Sequence, residues 1–239
     1  MNSDEKLRDA EIRTENKLLL RLDNFWYHYK WHSIVALFLV IAIVVCSLQF
    51  CGRQKYDAHI LYAGSKNIGR TASDGDVAEI VTVKSDLKTI AEDFDKNGKI
   101  DVNFTNYYFL GKNEQSAEDV NDALLASDSK ALSGVLEHSE YYLLFISPAV
   151  YEQYHKAGES DLFIDLSSYA SYNQSTEYYA HNAIRLSSLP ASELPGFSIF
   201  PEDTLICIRY PSIVGGKSKE HKQHFENAKE MLINILELD

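Results

Sequence analysis

The chain has 239 residues, with 23 Lys and Arg against 35 Asp and Glu, and its formal net charge is −12. Apolar residues make up 45% and charged residues 24%, so the chain is not a disordered protein, a collagen or a disulfide-rich mini-protein. The acidic balance argues against a nucleic-acid partner, because phosphate contacts need a basic surface.

A membrane-spanning helix is predicted near the N-terminus. Residues 34–50 contain no charged side chain, and the 21 residues from Trp31 to Cys51 form one apolar run. At about 1.5 Å per residue, this run spans a hydrocarbon core of roughly 30 Å. An interfacial aromatic belt precedes it: Phe25, Trp26, Tyr27, Tyr29 and Trp31. Because the stretch before the run is too long for a signal n-region, we expect an uncleaved anchor.

The chain is thereby divided into four parts. We predict a largely helical cytosolic tail over 1–33, a transmembrane helix over 34–51, a linker over 52–57 and an α/β domain over 58–239. Lys and Arg close to the span number three before it and four after it, so charge counting does not orient the helix. A short tail stays in the cytosol most easily, and long domains translocate largely regardless of charge. We therefore expect the C-terminal domain outside the cytoplasm.

Cysteine usage indicates the kind of organism. Cys46 and Cys51 lie in or at the predicted span, and Cys207 stands alone in an apolar run of the domain, which is typical of a buried thiol. The domain then has no internal disulfide, and a bacterial surface protein fits better than a disulfide-stapled animal ectodomain.

Apolar patterning predicts alternating strands and helices in the domain. The expected elements, in chain order, are a strand at 58–64, a helix at 76–94, a strand at 101–110, helices at 116–125 and 130–137, a strand at 141–146, a helix at 149–157, a short strand or extended segment at 162–166, a short strand at 183–186, a strand at 204–210 and a helix at 218–238. This alternation predicts an α/β fold in which a parallel or mixed sheet is flanked by helices on both faces.

Part of this pattern resembles a known family. The stretch from Ser139 to Tyr151, then Gly158, then Phe163–Ser167 is similar to the mid-region of extracytoplasmic solute-binding proteins. The terminal helix resembles theirs at Phe225, Ala228, Leu232 and Ile235. The entry to the span, Asn24–His32, is similar to that of membrane-anchored proteins of unknown function in gut Firmicutes. The resemblance implies a reduced periplasmic-binding-like fold and a ligand-binding role.

In open α/β sheets, ligands bind where strands end. This rule nominates Tyr62, Ser65 and Ser147 as ligand-binding residues. Tyrosine rings elsewhere in the domain are good platforms for sugars or peptides, although core and surface packing is the favoured explanation for them. A small molecule or a peptide is the expected ligand.

The loop at 93–101 matches the first nine positions of a calcium loop. Asp93, Asp95 and Asn97 supply oxygens at positions 1, 3 and 5, Gly98 supplies the turn, and Lys99 offers its carbonyl. Asp101 follows at position 9. Position 12 should be acidic but is Phe104, so any calcium site is weak, and the favoured interpretation is an Asx-rich turn between a helix and a strand.

The remaining motifs indicate no chemistry. Gly215–Ser218 is interpreted as the turn before the last helix rather than a phosphate loop. Among eight histidines, His221 and His224 are closely spaced, and we place them on a solvated helix face. No complete catalytic motif is present, so the sequence predicts no enzyme and no cofactor apart from weakly bound calcium. The first hypothesis is a non-catalytic ligand-binding module, and the alternative is a structural or assembly protein that uses the exterior domain for protein contacts.

Overall fold

A computed structural model describes residues 3–51, 55–68, 78–111, 122–155, 162–169, 178–211 and 218–238. The chain forms two compact units, Met1–Gln54 and Lys55–Asp239. The first unit is one helix, α1 (Ser3–Cys51), so the predicted tail helix and span are continuous.

Within α1, the stretch Asn24–Ser47 is long and apolar enough to cross a membrane, and none of it is buried inside the protein. Trp31 is 70% exposed and Phe38 is 69% exposed. So large an apolar surface needs an apolar environment. The helix is compatible with a single-pass membrane anchor or with a signal sequence. In the predicted linker, residues 52–54 lie outside the described part of the chain.

The second unit contains a six-stranded mixed sheet in the order β2-β1-β3-β6-β5-β4. β1 pairs in parallel with β2 and β3, and the β3–β6, β6–β5 and β5–β4 pairs are antiparallel. The strands are β1 (Ala58–Gly64), β2 (Val102–Tyr108), β3 (Leu143–Ile146), β4 (Tyr178–Ala180), β5 (Ala183–Arg185) and β6 (Leu205–Ile208). The predicted α/β class with a mixed sheet is confirmed.

Helices cover both faces of this sheet. On β1, Ile60 and Tyr62 join one apolar cluster with α2 and α5, whereas Leu61 and Ala63 join a second cluster with α3 and α4. Burial on both faces explains why β1 is an almost unbroken apolar run in the sequence. The helices are α2 (Ala78–Ile90), α3 (Asp122–His138), α4 (Pro148–Tyr154) and α5 (Lys219–Leu236).

Some predicted elements differ from the observed ones. A single helix, α3, replaces the two predicted over 116–125 and 130–137, of which 116–121 lie outside the described residues. Of the two forms predicted for 162–166, the structure has the extended segment rather than the regular strand: Phe163 forms an isolated bridge with Arg209, and the Ile164 nitrogen donates to the Ile208 carbonyl at 2.9 Å. Three 3₁₀ turns that no pattern indicated follow β5, at Leu186–Ser188, Pro190–Glu193 and Phe197–Ile199.

Candidate functional site

The helices α2 and α4, which come after β1 and β3, lie on opposite faces of the sheet. These strands are adjacent and parallel. The next helix after β1 is α2, which packs on one face of the sheet, and the next helix after β3 is α4, which packs on the other. This arrangement is a topological switch point, the place where open α/β sheets bind ligands.

The structure places Tyr62, Ser65 and Ser147 at this edge, but with different access. Tyr62 is buried, with its ring centroid 5.3 Å from that of Phe200. Ser147 is also buried: its backbone nitrogen donates to the Ala63 carbonyl at 2.9 Å and its hydroxyl caps α4. Ser65 is half-buried. Its side chain is therefore the most accessible of the three.

The candidate calcium loop is held by its own carboxylates. Asp93 accepts hydrogen bonds from the backbone nitrogens of Asn97 at 3.0 Å and Gly98 at 2.7 Å. Asp95 accepts from Asn97 at 3.0 Å, and Asn97 accepts from the Lys99 nitrogen at 2.8 Å. These are the contacts of an Asx-rich turn, and Gly98 has the left-handed φ of 83° that such turns favour.

A further carboxylate, Asp57, comes to this loop from the residue before β1. Asp57 is buried and accepts from the backbone nitrogens of Phe94, Asp95 and Asp101. Oxygens of Asp57, Asp93 and Asp95 lie within 4.8 Å of one another. Phe104, at position 12, is buried in the core. Calcium binding at this loop stays a prediction. The calcium-loop pattern could not include Asp57, because Asp57 lies 36 positions before Asp93 in the sequence.

A second cluster of charged groups lies near the amino ends of β1 and β3. His59 is on β1, Glu140 precedes β3, and His224 is on α5. The Nε2 atoms of His59 and His224 lie 3.7 Å and 3.9 Å from Oε2 of Glu140. The two imidazole centroids are 4.5 Å apart. We call these three residues the His-Glu cluster.

Neighbouring side chains hold the His59 ring. Its Nδ1 lies 3.3 Å from the amide nitrogen of Asn103, which also donates to the Tyr141 hydroxyl at 3.0 Å. That hydroxyl shares a 2.7 Å hydrogen bond with Thr105. The Tyr141 ring also packs edge-on against His59. Asn103 and Tyr141 therefore fix the orientation of the His59 imidazole, with Nδ1 facing Asn103 and Nε2 facing Glu140.

Glu140 is positioned by a buried cation. The Arg209 guanidinium donates to the carbonyls of Leu136 at 2.7 Å, Ser139 at 2.6 Å and Tyr141 at 3.1 Å, on both sides of Glu140. It also lies 4.8 Å from the Tyr142 ring centroid. Burial lowers the pKa of Arg209, and the nearby Tyr142 partly offsets this decrease. Burial also raises the pKa of the Tyr142 phenol.

The solvated-face prediction is wrong for His224, whose side chain is 11% exposed. His221 is half-buried, and its Nδ1 shares a 2.7 Å hydrogen bond with the Tyr142 hydroxyl. Sequence spacing could not reveal the His-Glu cluster, since its members are joined only by the sheet order and by the docking of α5. Ser218 caps α5, as a helix-preceding turn requires, and 215–217 lie outside the described residues.

A shallow depression of about 670 Å³ lies beside the 3₁₀ turns, lined by Ser187, Ser188, Pro190, Glu193, Leu238 and their neighbours. None of its lining residues was predicted to be a site residue. Comparison of the chain with protein-family models, with curated proteins and with solved structures finds no match.

Proposed function

We propose that the chain is a single-pass membrane protein whose α/β domain lies outside the cytoplasm and binds a small molecule or a peptide without catalysis. The observation that carries the proposal is the switch point between β1 and β3. It supports a binding role because the divergence of α2 and α4 is what opens a crevice in folds of this kind. The resemblance to reduced solute-binding proteins is part of the same proposal.

Polar groups at the end of β1 support this location. Ser65 is half-buried, and Lys66 and Asn67 are exposed directly after it. The Lys66 ammonium donates to the Ile199 carbonyl at 2.8 Å, which holds the side chain at this edge. Gly64 keeps the strand end tight, since a Cβ there would lie 2.6 Å from the Tyr62 hydroxyl. A few convergent polar groups on a rigid apolar base are typical of ligand sites.

The buried Cys207 thiol provides a direct test on the full chain. In a C46S/C51S background in lipid nanodiscs, a thiol reagent reaches Cys207 only when the domain opens. The chain is labelled in the presence of sugars, amino acids or short peptides. We expect one chemical class to slow labelling, by roughly 100-fold at 100 times its dissociation constant, because a ligand that binds only the folded domain suppresses opening.

Two matched variants locate the site. Ser65→Trp should fill the switch point and abolish the protection, whereas Ser187→Trp, in the depression beside the 3₁₀ turns, should leave it intact. Protection that survives Ser65→Trp but is lost in Ser187→Trp would place the ligand in the depression and overturn the switch-point site. No protection by any class would favour the alternative function, a structural or assembly protein that acts through protein contacts.

A further inference from the structure

We propose that the His-Glu cluster binds one divalent transition-metal ion of the zinc class. Two imidazoles and one carboxylate are a ligand set that zinc sites use repeatedly. The ligand atoms of His59, Glu140 and His224 all lie within 4.8 Å of one another. The three residues come from a strand, a loop and a helix, so the site depends on the tertiary fold rather than on a local motif.

The spacing suits a tetrahedral ion. With metal–ligand bonds of about 2.0–2.2 Å, two ligands of a tetrahedral zinc ion lie roughly 3.4 Å apart. The His59–Glu140 and His224–Glu140 separations are 3.7 Å and 3.9 Å. These two separations are within about half an ångström of the tetrahedral spacing, and the ligand atoms of the two histidines lie within 4.8 Å of each other. The fourth position is left for water.

The surroundings of His59 supply the outer hydrogen bond that metal-binding histidines use. If Nε2 binds the ion, Nδ1 carries the ring proton and must donate it. Asn103 lies 3.3 Å away, and its amide presents oxygen in place of nitrogen after a half-turn. Asn103 is thus a positioning residue for His59, and Arg209 is one for Glu140.

Burial and charge favour a cation here. The His59 and His224 side chains are 8% and 11% exposed, while Glu140 is 23% exposed and gives an ion a way in. Residues 52–239 contain 17 basic and 29 acidic residues, so their overall field attracts cations. The site lies at the opposite edge of the sheet from the switch point. The metal proposal therefore stands or falls independently of the proposed function.

The test is a zinc titration of the full chain in detergent micelles, in competition with a chromophoric chelator. The C46S/C51S background removes two other thiol ligands. We expect one ion per chain at this site, and Co²⁺ in its place should show the visible absorption of tetrahedral coordination. Glu140→Gln and His224→Gln should each weaken binding by more than about 100-fold, and Asn103→Leu by roughly 10- to 100-fold.

A surface pair serves as the control. His138 and Glu137 lie 3.6 Å apart on α3, with side chains 63% and 65% exposed, and in the described structure they belong to no metal-ligand cluster. His138→Gln should leave zinc affinity unchanged. Glu140→Gln keeps the shape of a partly exposed side chain, so it decides the matter even where a histidine variant fails to fold. Undetectable zinc binding, or binding that Glu140→Gln and His224→Gln leave intact, would overturn the proposal.

Discussion

At the scale of single residues, Arg209 is one of the large side chains that are fully buried in the described structure. Its guanidinium is fully buried and satisfies three backbone carbonyls, one in the last turn of α3 and two in the segment between α3 and β3. Arg209→Met should lower the free energy of unfolding by at least about 2 kcal/mol, because buried carbonyls lose their donors. Arg209→Lys should lose nearly as much, since a single ammonium cannot reproduce the planar fork. Urea unfolding followed by circular dichroism measures both.

Arg185→Met is the matched control for that prediction. The Arg185 guanidinium lies 5.1 Å from the Tyr179 ring centroid and is half-buried. Losing this cation–π contact should cost only about 0.5–1 kcal/mol. Equal losses in the two variants would show that Arg209 acts through its ring contact with Tyr142 rather than through the carbonyls.

At the scale of elements, two glycines occupy contrasting positions: one is closely packed against a neighbouring helix, and the other lies on an open helix surface. Gly196 lies between the second and third 3₁₀ turns and packs against α2. A Cβ there would be 2.8 Å from the Thr82 carbonyl oxygen and 2.8 Å from Val83 Cα. Gly196→Ala should therefore destabilise the domain by about 1–3 kcal/mol. Gly134 lies in α3, and a Cβ there meets nothing within 4 Å. Gly134→Ala should stabilise by about 0.5–1 kcal/mol.

Thermal unfolding of the two variants and the parent chain, under one set of conditions, measures both effects. The melting temperature should fall for Gly196→Ala and rise for Gly134→Ala. A neutral Gly196→Ala variant would mean that the 3₁₀ segment can move away from α2 at little cost.

Elements with strong local patterns were predictable from the sequence. β1 is apolar apart from His59 and has the predicted bounds, Ala58–Gly64, and α5 shows one apolar face. The pattern failed where tertiary contacts decide the structure. Asp128 was placed between two helices, yet it lies inside α3 because its carboxylate accepts from the Tyr108 nitrogen at 2.8 Å in the core. The 3₁₀ turns are only three or four residues long, so they contain no repeating apolar pattern that the sequence could show.

The candidate sites were less accessible to sequence reasoning than the fold was. Tyr62, Ser65 and Ser147 could be nominated because strand ends are visible in the sequence. His59 and His224 are 165 residues apart, and nothing local marks either as a partner of Glu140. Only the sheet order and the docking of α5 bring them together. Residue spacing in the sequence cannot reveal side chains that come together only in the folded structure.

At the scale of the whole molecule, charge is divided unevenly along the chain. Residues 1–33 have six basic and six acidic residues, and residues 34–51 have none, so all of the net charge of −12 lies in residues 52–239. An acidic domain is repelled by anionic head groups, so no electrostatic attraction holds it to the lipid surface. In the proposed single-pass protein, membrane attachment is therefore assigned to α1.

Impermeant thiol labelling of bacterial protoplasts tests the proposed orientation. In the C46S/C51S background, a cysteine replacing exposed Ser187 should be labelled in intact protoplasts, and a cysteine replacing Ser3 only after permeabilisation. The buried Cys207 stays silent while the domain is folded, and a carbonate wash should leave the chain in the membrane. The reverse labelling pattern would place the domain in the cytoplasm. A shorter product, released from the membrane and lacking the Ser3 position, would identify α1 as a signal sequence instead, because cleavage removes both the tail and the apolar helix.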